Sequence, residues 1–141
     1  MWHRLYYHVV WTTRVRTPLL NARCAEFLSR FLRHAAAEHR SRVLQIGAVT
    51  THVHVLAVCH PMTEIPKLLG HLKGGSATVW NKDYAPEAGW KLQWASGYGI
   101  STVSPRQIDA VRLYLRTQPE HHPSERIEGW KGDRPGHESM R

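Results

Sequence analysis

The stretch THVHVLAV, residues 51–58, decides the fold of this chain, because it is an apolar run that contains two closely spaced histidines. In a β-strand, successive side chains point to opposite faces, so His52 and His54 project from the same face. Two imidazoles held side by side on a strand make a natural pair of metal ligands. The same pattern also describes a pair of exposed or partly packed histidines, so alone it is weak support for a metal site.

The segments around this stretch predict a sheet. Residues 42–49 (RVLQIGAV) form a second apolar run, which Thr50 and Thr51 connect to the histidine strand by a tight turn. The aromatic and β-branched residues 5–13 (LYYHVVWTT) predict the first strand, and residues 94–103 become the fourth strand after Gly97. Positions 53, 55, 57 and 59 are small and apolar and should lie against helices, which leaves the histidine face for chemistry.

Three amphipathic helices are predicted between and after the strands. Apolar residues recur at helical spacing from residue 22 to about residue 40, and Asn21 can cap this helix. Thr63 should cap a second helix, which Gly74 and Gly75 weaken. Ser104 and a proline at the first turn start the last helix, which should stop at Pro119.

The order of elements is β-α-β-β-α-β with a further helix. This order predicts an α+β chain with a ferredoxin-like or RRM-like sandwich, an antiparallel sheet and a C-terminal helix. Residues 1–122 should form a single domain. Residues 123–141 contain prolines, glycines and many charges, and we expect a loosely ordered tail.

Composition limits the classes of function. The chain has 141 residues, of which 42% are hydrophobic and 21% charged, as in an ordinary globular domain. No apolar run reaches the roughly 20 residues that span a bilayer, and the first residues lack the apolar segment of a secretory signal, so we expect a cytoplasmic protein. Cys24 and Cys59 should be small core residues. The net charge of +8 suggests a nucleic acid as partner.

The last helix adds two polar side chains that could act together with the histidine pair. Tyr114 and Gln118 lie four residues apart and would share a helical face. By pattern alone, Tyr114 is explained at least as well by packing. If this helix covers the histidine face, however, it brings a phenol hydroxyl and an amide oxygen to two imidazoles. A hydroxyl, a divalent cation and a basic surface are the parts of phosphodiester chemistry, although the sequence does not name a base for the phenolic proton.

Two motifs of this chain together resemble those of a known family. His52-Val53-His54 looks like the HUH motif (U, hydrophobic) of single-tyrosine transposases and related nucleases. Residues 114–118 (YLRTQ) resemble the tyrosine-x-x-x-glutamine helix of the small insertion-sequence transposases in that superfamily, which include REP-associated tyrosine transposases. Residues 7–14 (YHVVWTTR), 94–104 (WASGYGISTVS) and 118–122 (QPEHH) also look like segments of that group. The resemblance runs in order from about residue 5 to residue 122.

The resemblance implies a mechanism and a site. Tyr114 would be the nucleophile that cuts single-stranded DNA, often beside a hairpin, forming a 5′-phosphotyrosine bond and freeing a 3′-hydroxyl. His52, His54 and Gln118 would hold a Mg²⁺ or Mn²⁺ ion. Family members are commonly homodimers, in which the tyrosine helix of one subunit can complete the site of the other. The chain departs from the family pattern at Thr51, where many relatives have an acidic residue, and this change could alter histidine orientation.

Contacts to DNA are predicted from residue type. The candidate phosphate contacts are the basic residues Arg14, Arg16, Lys67, Lys73 and Arg116, each of which is equally explained as a solvated charge. Trp80, Trp90 and Trp94 could stack on unpaired bases, although Trp94 should rather pack at the start of its strand. Two alternatives remain: a host-adopted nuclease that processes repeated palindromic sequences, and a non-catalytic RRM-like binding module, which would need surface aromatics on the central strands.

Overall fold

The computed structural model of the chain describes residues 4–134. A sheet of four strands is formed by β1 (Leu5–Thr12), β2 (Ser41–Val49), β3 (His52–Cys59) and β4 (Gly99–Val103). Their order across the sheet is β2-β3-β1-β4, and every neighbouring pair is antiparallel. The predicted α+β sandwich is therefore confirmed. Strand β4 begins after Gly97, as predicted, and residues before it contribute only an isolated bridge between Trp94 and Thr13.

One face of the sheet is covered by the helices between the strands. These are α1 (Ala22–Ala37), α2 (Ile65–Gly70), α3 (Ser76–Asp83) and α4 (Ala85–Ala88), with a π-helical turn at His71–Gly75 joining α2 to α3. The Asn21 side chain caps α1 as predicted, since it accepts a hydrogen bond from the Cys24 N–H at 2.9 Å. Thr63 does not cap α2: its hydroxyl donates to the His39 carbonyl oxygen instead. The apolar positions of β3 form part of the main core on this side.

The last helix lies on the opposite face of the sheet. Helix α5 (Ile108–Arg116) packs on β2 and β3, where Leu115 joins a smaller buried cluster with Leu56. The predicted single helix to Pro119 is wrong. The helix ends before Thr117, and the chain continues as the short helix α6 (Gln118–His121). A proline ring clashes with the carbonyl four residues earlier, so a continuous helix through this position is disfavoured.

The chain after α6 is packed as far as the structure describes it, in contrast to the loosely ordered tail expected from residue 123. Ile127 is 4% exposed and belongs to the main core. The Asp133 carboxylate makes two hydrogen bonds to the Arg33 guanidinium, at 2.7 and 2.8 Å, and accepts from the Ile46 N–H at 2.9 Å. A charged, glycine-containing segment can thus be fixed by a few specific contacts. Residues 135–141 of the expected tail lie outside the described residues.

Two further expectations concern burial and membranes. Cys24 and Cys59 are buried free thiols, as predicted. Within residues 4–134, none of the helices has the length and apolar character needed to cross a bilayer.

Candidate active site

The two histidines of the HxH stretch lie under α5, on the face of β3 opposite the main core. His52 and His54 are only 5% and 7% exposed, and their ring centroids are 5.2 Å apart. In the sheet register, His54 is flanked by Gly47 of β2 and by Val10 of β1. An ideal Cβ at Gly47 would lie 2.2 Å from the Leu115 carbonyl oxygen, so this glycine allows α5 to approach the histidine pair.

A third histidine, His8 of β1, holds the second histidine of the pair. The His8 Nε2 and His54 Nδ1 atoms are 2.8 Å apart and share one proton in a hydrogen bond. The two rings are stacked, with centroids 5.0 Å apart. Sequence reasoning did not select His8, although it lies within a segment that carries the family resemblance. Because the His54 Nδ1 atom is bonded to His8, the Nε2 atom of His54 is the one available to a ligand.

The first histidine is held at the same ring position by other groups. The Thr51 Oγ1 atom lies 3.0 Å from His52 Nδ1, and the Thr51 hydroxyl also donates to the Glu125 carboxylate. The Glu125 Oε1 atom itself is 3.8 Å from His52 Nδ1. Sequence reasoning missed Glu125, because nothing in its local sequence connects it to a strand so far away in the chain.

Gln118 meets the histidine pair from α6. The residue is fully buried, and within residues 4–134 its Oε1 atom has no hydrogen-bond partner. Its Nε2 atom lies 3.4 Å from the Tyr114 carbonyl oxygen, across the break between α5 and α6. A buried carbonyl oxygen without a partner is costly, and it is satisfied when a ligand or ion occupies the site.

Tyr114 lies at the open side of the histidine cluster. The side chain is 41% exposed, so the alternative of a core tyrosine does not apply. Its ring is 5.7 Å from that of His54 and 6.2 Å from that of His8, both edge to face, and 5.0 Å from that of His121. Tyr114 and Gln118 thus both lie at the histidine face, although they come from two helices, α5 and α6, and not from one.

Burial keeps the imidazoles of the site uncharged. The pKa of His54 is lowered to about 3, chiefly by desolvation and further by the neighbouring His8, His52 and His122. Desolvation and His122 likewise lower the pKa of His52. The Gln118 side chain raises the pKa of both rings, because it can hydrogen-bond to a protonated imidazole. Neutral imidazoles retain the lone pair that a metal ligand needs.

The residues present fit a divalent cation. Both histidines are neutral, both are held through Nδ1, and Gln118 adds an amide oxygen without a partner. In the part of the chain that the structure describes, no group of three or more His, Cys, Asp and Glu side chains is arranged to bind a metal. An ion at this place would therefore need the Gln118 oxygen as its third protein ligand. Divalent ions such as Mg²⁺ prefer oxygen ligands, so an ion held by these three side chains would offer a contact to phosphate oxygens.

The predicted basic residues lie in different environments. Arg14 and Arg16 are exposed on a helical turn in which Val15 and Arg16 have φ angles of 55° and 52°, in the strained left-handed region. Arg16 is close enough to His52 to lower its pKa. The Lys73 ammonium donates to the carbonyl oxygens of Ala95 and Gly97 at 2.9 and 2.5 Å, so it holds the loop before β4.

The other two predicted basic residues are exposed. Lys67 lies 3.4 Å from Glu64 in a surface ion pair, and Arg116 is the last residue of α5, on the side of Gly47, Ala48 and Trp130. Among the basic candidates, the structure thus brings Arg16 close to the histidine site and gives Lys73 a structural contact.

The tryptophans are mainly packed. Trp80 is fully buried, and its indole N–H donates to the Trp90 carbonyl oxygen, so the prediction that Trp80 could stack on bases is wrong. Trp94 packs edge to face on Trp11 and donates to the Ser76 hydroxyl, so it is packed as expected, although it lies before β4 and not at its start. The RRM-like alternative also loses support, because the histidine face of β3 is covered by α5 rather than open to bases.

The structure combines this sheet topology with a paired-histidine strand and a tyrosine helix that lies over it. These features define the class of HUH proteins that the sequence resembles. Comparison with known proteins agrees: the model of the IS200-like transposase family matches residues 1–118. The ISDra2 transposase TnpA of Deinococcus radiodurans is 31% identical over 120 residues, which cover 82% of this chain and 85% of the relative. The IS200 transposase of Salmonella typhimurium is 22% identical over 118 residues, 81% of this chain and 76% of the relative.

Solved structures show the same fold. A Deinococcus radiodurans R1 protein assigned to the transposases superposes with a TM-score of 0.63 at 26% identity, covering 82% of this chain and 92% of that one. A REP-associated tyrosine transposase bound to a REP hairpin superposes with a TM-score of 0.61 at 11% identity, covering 84% of this chain and 68% of that one. The chain belongs to the IS200-like family of single-tyrosine transposases, which confirms the resemblance described above.

Proposed function

We propose that this chain cleaves and rejoins single-stranded DNA through a 5′-phosphotyrosine intermediate, as a metal-dependent transposase. The observation that carries the proposal is the position of Tyr114, partly exposed beside the imidazole of His54 and one short break away from Gln118. A nucleophile must be reachable by its substrate, whereas groups that hold an ion are buried and fixed. In this site Tyr114 is partly exposed, whereas His52, His54 and Gln118 are buried.

The chemical step is a transesterification at phosphorus. The Tyr114 phenolic oxygen forms a bond to the phosphorus atom, and the bond from phosphorus to the 3′ oxygen breaks. The phenolic proton is lost, and the departing 3′ oxygen gains a proton as a hydroxyl. Attack of a 3′-hydroxyl on the phosphotyrosine reverses the step and rejoins the strand, because a phenolate is a good leaving group.

His52, His54 and Gln118 would hold Mg²⁺ or Mn²⁺. When bound, the ion would neutralise charge that develops on the phosphate oxygens. The side chains themselves supply two fixed nitrogens and an oxygen at the buried end of the site, and α5 covers them from water. Arg16 is the basic residue best placed to contact the DNA backbone near the site, with Arg14, Arg116 and Lys67 further candidates.

The partner we propose is single-stranded DNA that carries a hairpin, as in the REP hairpin bound to one structural neighbour. The high net charge supports a polyanionic partner. We further propose a homodimer acting in the cytoplasm. A host-adopted nuclease would use the same residues on repeated palindromic sequences, and only its preferred substrate would differ.

The test is covalent capture of the cut strand. The protein is incubated with Mn²⁺ and a hairpin-bearing single strand labelled at its 3′ end, and we expect an adduct that survives denaturation. A 5′ label should instead appear on a released fragment with a free 3′-hydroxyl. Tyr114→Phe should abolish the adduct, whereas Tyr98→Phe, at a tyrosine of similar exposure (39%), should retain it.

The result also separates the alternatives. Binding of the hairpin without any adduct would identify a non-catalytic module. An equal adduct with Tyr114→Phe would show that Tyr114 is not the nucleophile. Removal of Mn²⁺ by a chelator should abolish cleavage, and His52→Ala should do the same with Mn²⁺ present.

A further inference from the structure

The chain beyond the family match brings a carboxylate to the first histidine. Glu125 ends a helical turn at Pro123–Glu125, seven residues after the match ends at residue 118. Its backbone carbonyl oxygen accepts a hydrogen bond from the Thr50 N–H at 2.8 Å, which ties the segment to the turn between β2 and β3. Its side chain is thereby placed beside Thr51 and His52.

The hydrogen bonds in this group have one consistent direction. As a carboxylate, Glu125 can only accept, so the Thr51 hydroxyl must use its single hydrogen to donate to Glu125. The Thr51 oxygen then has only lone pairs to offer to the His52 Nδ1 atom at 3.0 Å. The His52 Nδ1 atom must therefore carry a hydrogen and donate it, which leaves the lone pair on Nε2.

We propose that Glu125 is a positioning residue for His52, acting through Thr51. It fixes the neutral imidazole as the Nδ1–H tautomer and directs the Nε2 lone pair into the site. The ligand role of His52 rests on the proposed function, whereas the tautomer does not. This carboxylate reaches the histidine from the C-terminal segment, since position 51 itself holds a threonine.

The first experiment observes the tautomer in the metal-free protein. Long-range ¹H–¹⁵N correlation of ¹⁵N-histidine protein, with His52 assigned through His52→Gln, should show His52 as the Nδ1–H form. Glu125→Gln should produce the Nε2–H form in part, because an amide can donate to Thr51 and release its hydroxyl to donate to Nδ1. Thr51→Val, which removes the hydroxyl, should also produce the Nε2–H form.

The second experiment measures Mn²⁺ binding without DNA by titration calorimetry. Loss of a group that orients a metal-binding histidine typically weakens affinity by about 10- to 100-fold, and we expect this for Glu125→Gln and Thr51→Val. Glu128→Gln makes the same chemical change at an exposed position of the same segment and should leave the affinity unchanged. Thr51→Asp in the Glu125→Gln background returns a carboxylate to His52 and should restore binding.

The outcomes are distinct. If Glu125→Gln leaves both the His52 tautomer and the Mn²⁺ affinity as in the wild type, the proposal is overturned. It is also overturned if Thr51→Asp fails to restore binding to a folded Glu125→Gln variant, because the role of Glu125 is then only to hold its segment. If the tautomer depends on Glu125 but the wild type forms no phosphotyrosine adduct, this inference stands and the proposed function fails.

Discussion

His54 lies between His8 and His52 beneath helix α5, and this crowding determines its charge. Its pKa is lowered to about 3, mainly because burial removes water from the ring. Burial also lowers the pKa of His8 and of His52. The folded protein therefore binds fewer protons at mildly acidic pH than the unfolded chain, whose histidines titrate near 6.5.

Acid should destabilise the metal-free protein through these histidines. Because the unfolded state binds more protons, the free energy of unfolding should be greatest above about pH 6.5 and fall steadily toward about pH 3. Urea denaturation at a series of pH values measures this slope. His54→Gln should reduce the slope, and His34→Gln, at an exposed position on α1, is the matched control. Equal slopes for wild type and His54→Gln would contradict the burial of a neutral imidazole.

Single residues of the site could be predicted only where the signal is local. The histidine pair, Tyr114 and Gln118 were found from spacings within a strand and around one helical turn. His8 was missed because its bond to His54 joins residues 46 positions apart, and only the register of two strands brings them together. Glu125 was missed for the same reason, since its contact depends on the path of the C-terminal segment.

At the level of elements, the approach of α5 to β2 determines where Tyr114 and Gln118 lie. Leu115, between these two residues in sequence, rests its backbone directly on Gly47. Gly47 is in turn the register partner of His54. The distance from the tyrosine helix to the histidine pair is therefore set by the absence of a single side chain.

Gly47→Ala should separate the two halves of the site. The new Cβ would lie 2.2 Å from the Leu115 carbonyl oxygen, so α5 must move. We expect phosphotyrosine formation to fall at least about tenfold, with a loss of roughly 1–3 kcal/mol in the free energy of unfolding from overpacking. Gly70→Ala, with nothing within 4 Å of its Cβ, should leave phosphotyrosine formation unchanged and, as a Gly→Ala change in a helix, should not lower the free energy of unfolding. A Gly47→Ala protein with wild-type cleavage would show that the site tolerates displacement of α5.

The existence and order of the main elements could be predicted because each has a clear hydrophobic period. Their details could not. The helix break at Thr117 lies two residues before Pro119, and the π-helical turn spans His71–Gly75. Amphipathic spacing continues across both positions, so it cannot reveal them.

In the molecule as a whole, the segment after α6 is part of the folded body up to residue 134. Its main anchor is Asp133, whose side chain is fully buried against the Arg33 guanidinium and the Ile46 N–H. Trp130 adds a hydrogen bond from its indole N–H to Glu26 of α1. Composition suggested a loose tail because these anchors are isolated residues, and Asp133 and Arg33 are 100 positions apart.

Asp133→Ala should release this segment. Removing one member of a buried ion pair costs about 3 kcal/mol or more, so we expect a loss of that order in the free energy of unfolding by urea. Limited proteolysis should then cut between α6 and residue 134 at concentrations that spare the wild type. Glu128→Ala, an exposed change in the same segment, is the control and should behave as wild type. Unchanged stability of Asp133→Ala would mean that the anchor is dispensable.

The packed C-terminal segment also has a consequence for the outer edge of the sheet at β2. Glu125 accepts the Thr50 N–H, and Asp133 accepts the Ile46 N–H, so two outward amide groups at this edge are already occupied. An edge strand with free amides is a template for pairing with another chain, and nature commonly blocks such edges by covering them. Within residues 4–134, β4 pairs only with β1, so we expect a strand that extends this sheet to add beside β4 rather than beside β2.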